Sequence, residues 1–277
     1  MSHSDVIYDS AERHSPFRQA LLDLYLYRGL VRLVVQRDLT VRYKRSLLGV
    51  SWTVLNPVLT SLVMWAVFNA IFHPKIPGNV PYIVYLLSGV LAVTYFQQGV
   101  TMTGASMASS AGVLTKVYVP PVVFAYSAAT AGAVNFILGL VPLLLLQLGT
   151  GTGVPWTFIL VPLPLLFLLI LITGLGLIVA TLAIQYNDVL DLTNVLLMLL
   201  AYLTPTFYPI TIIPESYRRL LLLNPLVSFV DAFRHLEYGG TWPPWTSCMI
   251  IVVTSVVALA VGLEFFVIRW PRLAALL

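Results

Sequence analysis

Eighteen residues, RYKRSLLGVSWTVLNPVL from Arg42 to Leu59, run from a dense cluster of cations straight into an apolar wall. Cations at such a lip can hold an anionic headgroup, since guanidinium forks match phosphate oxygens and an ammonium acts as a point charge. Arg42, Lys44 and Arg45 are therefore candidates for attracting the pyrophosphate of a lipid carrier, with Trp52 marking the membrane edge. The same charges serve equally as a positive-inside anchor for the first span, and both readings stand at this level. Two acids three residues apart, Asp188 and Asp191, could bind Mg²⁺ in an enzyme acting on polyprenyl phosphates, or be solvated loop carboxylates. Glu264 is the only ionisable residue well inside an apolar run, where a charge costs at least about 2.5–3.5 kcal/mol at mid-bilayer. An ion-coupled transporter would carry several such groups, so the energy for any transport comes from elsewhere. Cys248 is the only cysteine, which excludes an intrachain disulfide and a thiolate metal cluster. The four histidines, His3, His14, His73 and His235, are too scattered to suggest a ligand set. No GxxxxGK[ST], HExxH, CxxC or GxSxG occurs, so the chain has no P-loop for ATP.

The elements that position these residues follow from composition. Of 277 residues, 59% are hydrophobic and 9% charged, against about 25% charged in a soluble domain. The mean hydropathy is +0.91. This is an all-α polytopic membrane protein. The start of the chain lacks the basic, apolar and small-residue pattern of a cleavable signal. A span needs about 20 apolar residues, and six runs qualify or nearly so: 52–72, 82–101, 122–148, 157–184, 192–208 and 246–268. The fifth is the shortest and is expected to break at Thr204-Pro205 and Tyr208-Pro209. Eleven of the fifteen Lys and Arg residues fall on the side that holds both termini, which places that side in the cytoplasm. Residues 1–51 then form a cytoplasmic segment and 52–277 the transmembrane domain.

Three connecting segments carry information. In 17–45, Arg28, Arg32 and Gln36 recur every four residues among leucines and valines, the pattern of an amphipathic helix lying along the inner interface. The inner loop 104–121, GASMASSAGVLTKVYVPP, is long enough for a short helix that docks on another protein, or is a plain connection. The outer stretch 209–241 reads as two short helices: one begins near Pro214-Glu215, the other covers about Leu226 to Tyr238, and Asn224-Pro225 separates them. Leu226, Phe229, Val230 and Phe233 share one face of the second, with Asp231, Arg234, His235 and Glu237 expected largely away from it. Neither helix can span, so they are expected to form a re-entrant hairpin that dips into the outer leaflet. Aromatic rings with polar edges suit a conduit for sugars, and Trp65, Phe68, Phe72, Tyr95, Phe96, Tyr202 and Phe207 are the candidates. Helix packing and interfacial belts are the alternative for each ring.

RDLTVRYKRSLLGVSWTVLNPVL (Arg37–Leu59), KVYVPP (Lys116–Pro121) and FYPITIIPESYRRLLLLNPLVSFVDAFRH (Phe207–His235) resemble the permeases of ABC-2 type polysaccharide exporters, which move O-antigen, capsule and teichoic acid precursors. The resemblance implies a homodimer paired with two copies of a separate nucleotide-binding ATPase. ATP and Mg²⁺ would be bound there, and this chain would hold no cofactor. It also implies that Leu48-Gly49 lies in a loop at the cytoplasmic mouth, and that Leu114, Lys116, Val117 and Tyr118 belong to the ATPase-coupling segment. Pro214, Glu215, Arg218, Asn224, Pro225 and Arg234 would form the outer gate. The implied cargo is a glycan on polyprenyl pyrophosphate, carried across the plasma membrane among membrane lipids, with no nucleic acid involved. The Ala/Val/Leu bias suggests a high-GC actinobacterial source, where the expected cargo is a lipid-linked galactan. Two departures stand out: Val119-Pro120-Pro121-Val122 carries no charge where the family often has Phe-Pro-Arg-Glu, and Asn187-Asp188 replaces the usual Arg-Asp. Export of a drug or simple lipid by a permease of the same type is the nearest rival reading.

Overall fold

The computed structural model describes residues 16–44, 46–49, 51–71, 76, 80–114 and 119–273, and among them every regular element is helical. Two helices precede the membrane domain, α1 (Pro16–Leu26) and α2 (Arg28–Tyr43). The expected interfacial helix is thus divided at Tyr27, although hydrogen bonds from Tyr27 N to Asp23 O and from Val31 N to Tyr27 O bridge the division. Next come α3 (Ser51–Ile71), α4 (Tyr82–Ser109), α5 (Ala111–Leu114) and α6 (Val122–Gly149). A 3₁₀ turn, Trp156–Leu160, leads into α7 (Pro162–Ala183), which is followed by α8 (Val189–Tyr202). The chain ends with α9 (Glu215–Leu221), α10 (Pro225–Arg234), a single π-helical turn His235–Gly239, and α11 (Trp245–Leu273).

Among the described residues, five helical stretches are long and apolar enough to cross a membrane: Ser51–Ile71, Tyr82–Ser109, Val122–Gly149, Trp156–Ala183 and Trp245–Trp270. The sixth expected span is shorter than the sequence suggested. Helix α8 has 14 residues, a length of about 21 Å against a hydrocarbon core of about 30 Å. It stops where Pro205 and Pro209 withdraw amide donors, and residues 203–209 run on without regular structure. The inner end of α4 departs in the other direction. Helix α4 continues to Ser109, past the expected limit at 101, so much of the supposed loop 104–121 is helical. The four-residue α5 follows directly.

Helix α4 is the hub, buried along most of its length and packed against α3, α6, α7, α8 and α10. The main core gathers Leu87, Phe96, Phe136, Leu168, Ile172, Phe229 and Phe233 from these helices. A second cluster at the inner end joins Ala20 of α1 to Met107, Leu177, Leu263 and Phe266, which seats the amphipathic segment on the bundle. Without an aqueous driving force, membrane helices approach closely only where side chains are small. Helices α7 and α11 meet in this way, with Gly174 against the Ala258 backbone and Gly262 against the Gly174 carbonyl. Helix α3 is the opposite case: it is apolar all round, yet only Pro57 and Ser61 are buried.

Candidate functional site

One side of α4 carries Thr94, Gln97, Gln98 and Thr101, three and four residues apart. Three cavities open along that side. The first, of about 260 Å³, is bounded by Trp52, Asn56, Thr94, Tyr95, Gln98 and Asn135. A second, of about 340 Å³, lies between Gln97, Gln98, Thr101 and Asn194 of α8. The third, of about 560 Å³, sits under α2, where Arg37 and Asp38 face Met102, Ser106 and Ser109. Gln98 borders the first two and Met102 the last two, so the three form one seam down α4. Gln97 Nε2 donates to Leu197 O at 3.1 Å, and Thr101 Oγ1 donates to Asn194 Oδ1 at 2.8 Å. The seam therefore offers amides and hydroxyls, with no ionised group until its inner end. There Arg37 pairs with the adjacent Asp38 at 2.8 Å. Such a surface suits a neutral, hydroxyl-rich ligand that must not be held tightly. The sequence reading passed over these residues, although QQ at 97–98, flanked by Thr94 and Thr101 in an apolar run, was the available signal.

The turn that leads into α3 is tight. Gly49 has φ +53 and its amide is accepted by Ser46 Oγ at 3.1 Å, a backbone state that favours glycine. Lys44 caps α2 and is exposed, as are Leu47 and Leu48. Trp52 is half exposed and forms a wall of the first cavity. The side chain of Arg42, and Arg45 altogether, lie outside the described residues. So do Phe72, Lys116, Val117, Tyr118 and the side chain of Leu114. Asp188 and Asp191 sit just before α8 and in its first turn, both exposed; an acid there favours the helix dipole. Glu264 is exposed on α11.

The proposed aromatic set divides by position. Phe68 stacks on Phe207 with centroids 6.3 Å apart, joining α3 to the broken segment after α8. Trp65 and Tyr202 are exposed. Tyr95 is buried, donates to Ala129 O at 3.3 Å and edges the first cavity. Phe96 is 1% exposed and belongs to the core, so its ring serves packing within the chain.

The outer hairpin is built into the bundle by its second helix. Asn224 caps α10, accepting from Leu226 N at 3.0 Å, and Pro225 occupies the first helical position. The Asn224 amide also donates to Thr204 Oγ1 at 2.9 Å and Leu200 O at 3.3 Å, which ties α10 to the end of α8. Arg234 completes the join. Its guanidinium donates to Pro205 O at 2.9 Å, Thr206 O at 3.1 Å and Tyr85 O at 3.4 Å, and lies 3.6 Å from the Tyr85 ring centroid. Tyr82 Oη donates to Phe207 O at 2.6 Å and Tyr85 Oη to Tyr208 O at 2.9 Å. The carbonyls freed by the prolines thus find side-chain donors, as irregular backbone near membrane depth requires. By contrast, α9 stays at the surface, with Pro214 and Glu215 exposed and Arg218 bonded to its own turn at Ile213 O.

The expectation for the polar face of the second helix needs correction. Asp231 and His235 are partly exposed as anticipated, but Arg234 turns inward and Glu237 is fully buried. Spacing is the cause: Glu237 follows Phe233 by four residues and Val230 by seven, which returns it to the apolar face, and Arg234 follows Val230 by four, at the edge of that face.

A family profile described as ABC-2 type transporter matches residues 29–238. The O-antigen export system permease protein RfbA of Myxococcus xanthus is 33% identical over 254 residues, covering 91% of this chain and 96% of the relative. A protein of the same name from Klebsiella pneumoniae is 28% identical, covering 87% of this chain and 92% of the relative. The polysialic acid transport protein KpsM of Escherichia coli is 24% identical, covering 85% and 92%.

Proposed function

The chain belongs to the ABC-2 type transporter family, and on that premise we propose that it is the permease through which a polysaccharide leaves the cell. The cargo in this reading is a glycan linked to polyprenyl pyrophosphate, and the work is supplied by ATP hydrolysis on a separate nucleotide-binding subunit. The observation that carries the reading is the uncharged seam on α4, whose amides and hydroxyls suit a sliding polyol better than a fixed ion or a purely apolar drug. Helices α3 and α8, apolar and little buried within one chain, flank the seam. Two copies meeting through them would close it into a conduit. The cations around Arg42 and Lys44 would receive the pyrophosphate head at its inner end, and α5 with the residues after it would meet the ATPase. Relatives named as an O-antigen export permease and a polysialic acid transport protein favour a glycan cargo over a drug or simple lipid.

The test removes the seam's polarity while keeping its shape. In cells whose own copy carries Q97L and T101V, surface glycan should fall about tenfold, the effect of losing two hydrogen bonds of about 0.5–1.5 kcal/mol each. Undelivered lipid-linked glycan should accumulate on the inner leaflet. Normal surface glycan in the double variant, with no accumulation, would count against the seam as the route.

A further inference from the structure

Glu237 is 0% exposed, and both its carboxyl oxygens lack a hydrogen-bond partner. Two of its neighbours share the defect: Ser88 Oγ of α4 and Gln147 Oε1 of α6 are also buried and unpartnered. These groups are held around it by backbone ties. Gln147 Nε2 donates to Glu237 O at 2.9 Å, and Thr157 Oγ1 donates to Leu236 O at 2.9 Å. The π-helical turn is thereby fastened to α6 and to the 3₁₀ turn before α7. Arg234 is the charged group nearest in the chain; its Nη atoms are committed to three carbonyls, its Nε is buried without a partner, and no ion pair joins it to Glu237 among the described residues. Asp231 and His235, on the same helix, are engaged with Ser247 and Thr241 instead. On the same turn Tyr238 is titratable and interacts electrostatically with Glu237. From α4 the titratable neighbours are Tyr82 and Tyr85, which pack with Tyr238, while α6 and the 3₁₀ turn contribute the neutral Gln147 and Thr157.

An ionised carboxylate in this place would be buried, unpaired and surrounded by too few donors. Glu237 brings two acceptor oxygens, and the Ser88 hydroxyl is a neutral donor beside them. A proton on the carboxyl supplies a second donor and removes the charge. Burying an unpaired charge is far costlier than burying a neutral carboxyl.

We propose that Glu237, with Ser88 and Gln147, forms a buried proton-binding site that latches the outer hairpin onto α4 and α6. With the proton bound, α10 and the π-helical turn stay seated. Without it, the charge gains by reaching water, and the hairpin lifts. The latch rests on the export reading only in calling this hairpin a gate.

Burial pushes the carboxyl from 4.5 up to about 8, opposed by the neighbouring Ser88 hydroxyl and the Arg234 guanidinium. A group raised in the seated state binds its proton more tightly there. Seating is therefore strongest below the ordinary carboxyl range, weakens as pH rises, and has lost this contribution above about 8.

The test uses the full chain in lipid nanodiscs with neither cargo nor ATPase. In a C248S background, S228C places a thiol on the buried side of α10. Y217C places one on exposed α9 as a control for thiol chemistry. The maleimide labelling rate of the first, divided by that of the second, should rise about tenfold per pH unit between about pH 6 and 8. Adding E237Q should reduce that slope to less than twofold. A flat ratio with Glu237 present, or an unchanged slope in E237Q, overturns the proposal. A second measurement needs no cysteine. The infrared difference between wild type and E237Q at about pH 6 should contain a protonated-carboxyl stretch that fades around pH 8; its absence overturns the latch. Neither readout involves transport, so failure here leaves the export reading standing, and the reverse holds too.

Discussion

Replacing Arg234 by leucine should destabilise the protein by about 3–5 kcal/mol and unseat its outer end. The carbonyls of Pro205, Thr206 and Tyr85 accept from this one side chain, and Tyr85 Oη offers the Pro205 carbonyl a second donor at 3.3 Å. A hydrogen bond from a charged donor is worth about 1.5–3 kcal/mol, and a buried acceptor left without one costs about 1–3 kcal/mol more. The guanidinium also covers the Tyr85 ring, a contact worth about 0.5–2 kcal/mol. These contributions overlap, which holds the expected total below their sum. Lysine should rescue only part, because a single ammonium cannot reach three acceptors in the fork geometry of arginine. The thermal midpoint of the detergent-purified protein reads the loss. Hydrogen exchange should place it in residues 203–209 and 225–239. An R234L protein with an unchanged midpoint would mean that the carbonyls find water instead.

An effect of similar size is expected from leucine at Gly262. A Cβ there would overlap the Gly174 carbonyl, and a Cβ on Gly174 would overlap the Ala258 backbone. The obstruction on each side is main chain, which cannot step aside as a flexible side chain can. Overpacking in adaptable cores costs about 1–3 kcal/mol. Here the two helices must separate along a contact that holds the last membrane helix to the bundle, so G262L should yield no monodisperse protein after extraction. G262A should give an intermediate yield, since even one methyl group meets the carbonyl. Gel-filtration profiles of the three forms decide the matter. Wild-type behaviour of G262L would show that α7 and α11 can be pushed apart at little cost.

Much of this architecture is legible in the amino-acid sequence, and the exceptions have physical causes. Long apolar runs announce membrane helices because nothing else satisfies the backbone in lipid. The positions of α3, α6, α7 and α11 therefore follow closely from hydropathy. Helix α4 runs to Ser109 because the alanines and Met107 of GASMASSA sustain the helix despite Gly104 and the serines, and hydropathy alone cannot distinguish a span's end from its continuation into water. The cap at Asn224-Pro225 is readable because the cue is local. The seam is harder to see: Gln97, Gln98 and Thr101 become a surface only when Asn194, almost a hundred residues later, is placed opposite. Arg234 and Glu237 belong to the packed side of their helix, as their four-residue spacing from Val230 and Phe233 implies, although their charge alone points the other way. The cationic cluster at Arg42, Lys44 and Arg45 is visible at once, whereas its role depends on a ligand that a sequence does not contain.

The central claim is that this chain is a conduit powered by another subunit, and reconstitution tests it most directly. Inverted vesicles would hold the chain, its nucleotide-binding partner and a lipid-linked glycan on the outer, cytoplasm-equivalent face. Added ATP should move the glycan to the lumen, where an external glycosidase cannot reach it. Vesicles with the chain alone should leave the glycan fully digestible, with or without ATP. Glycan protected in vesicles that lack the partner, or left accessible in vesicles that contain it with ATP, would contradict the account.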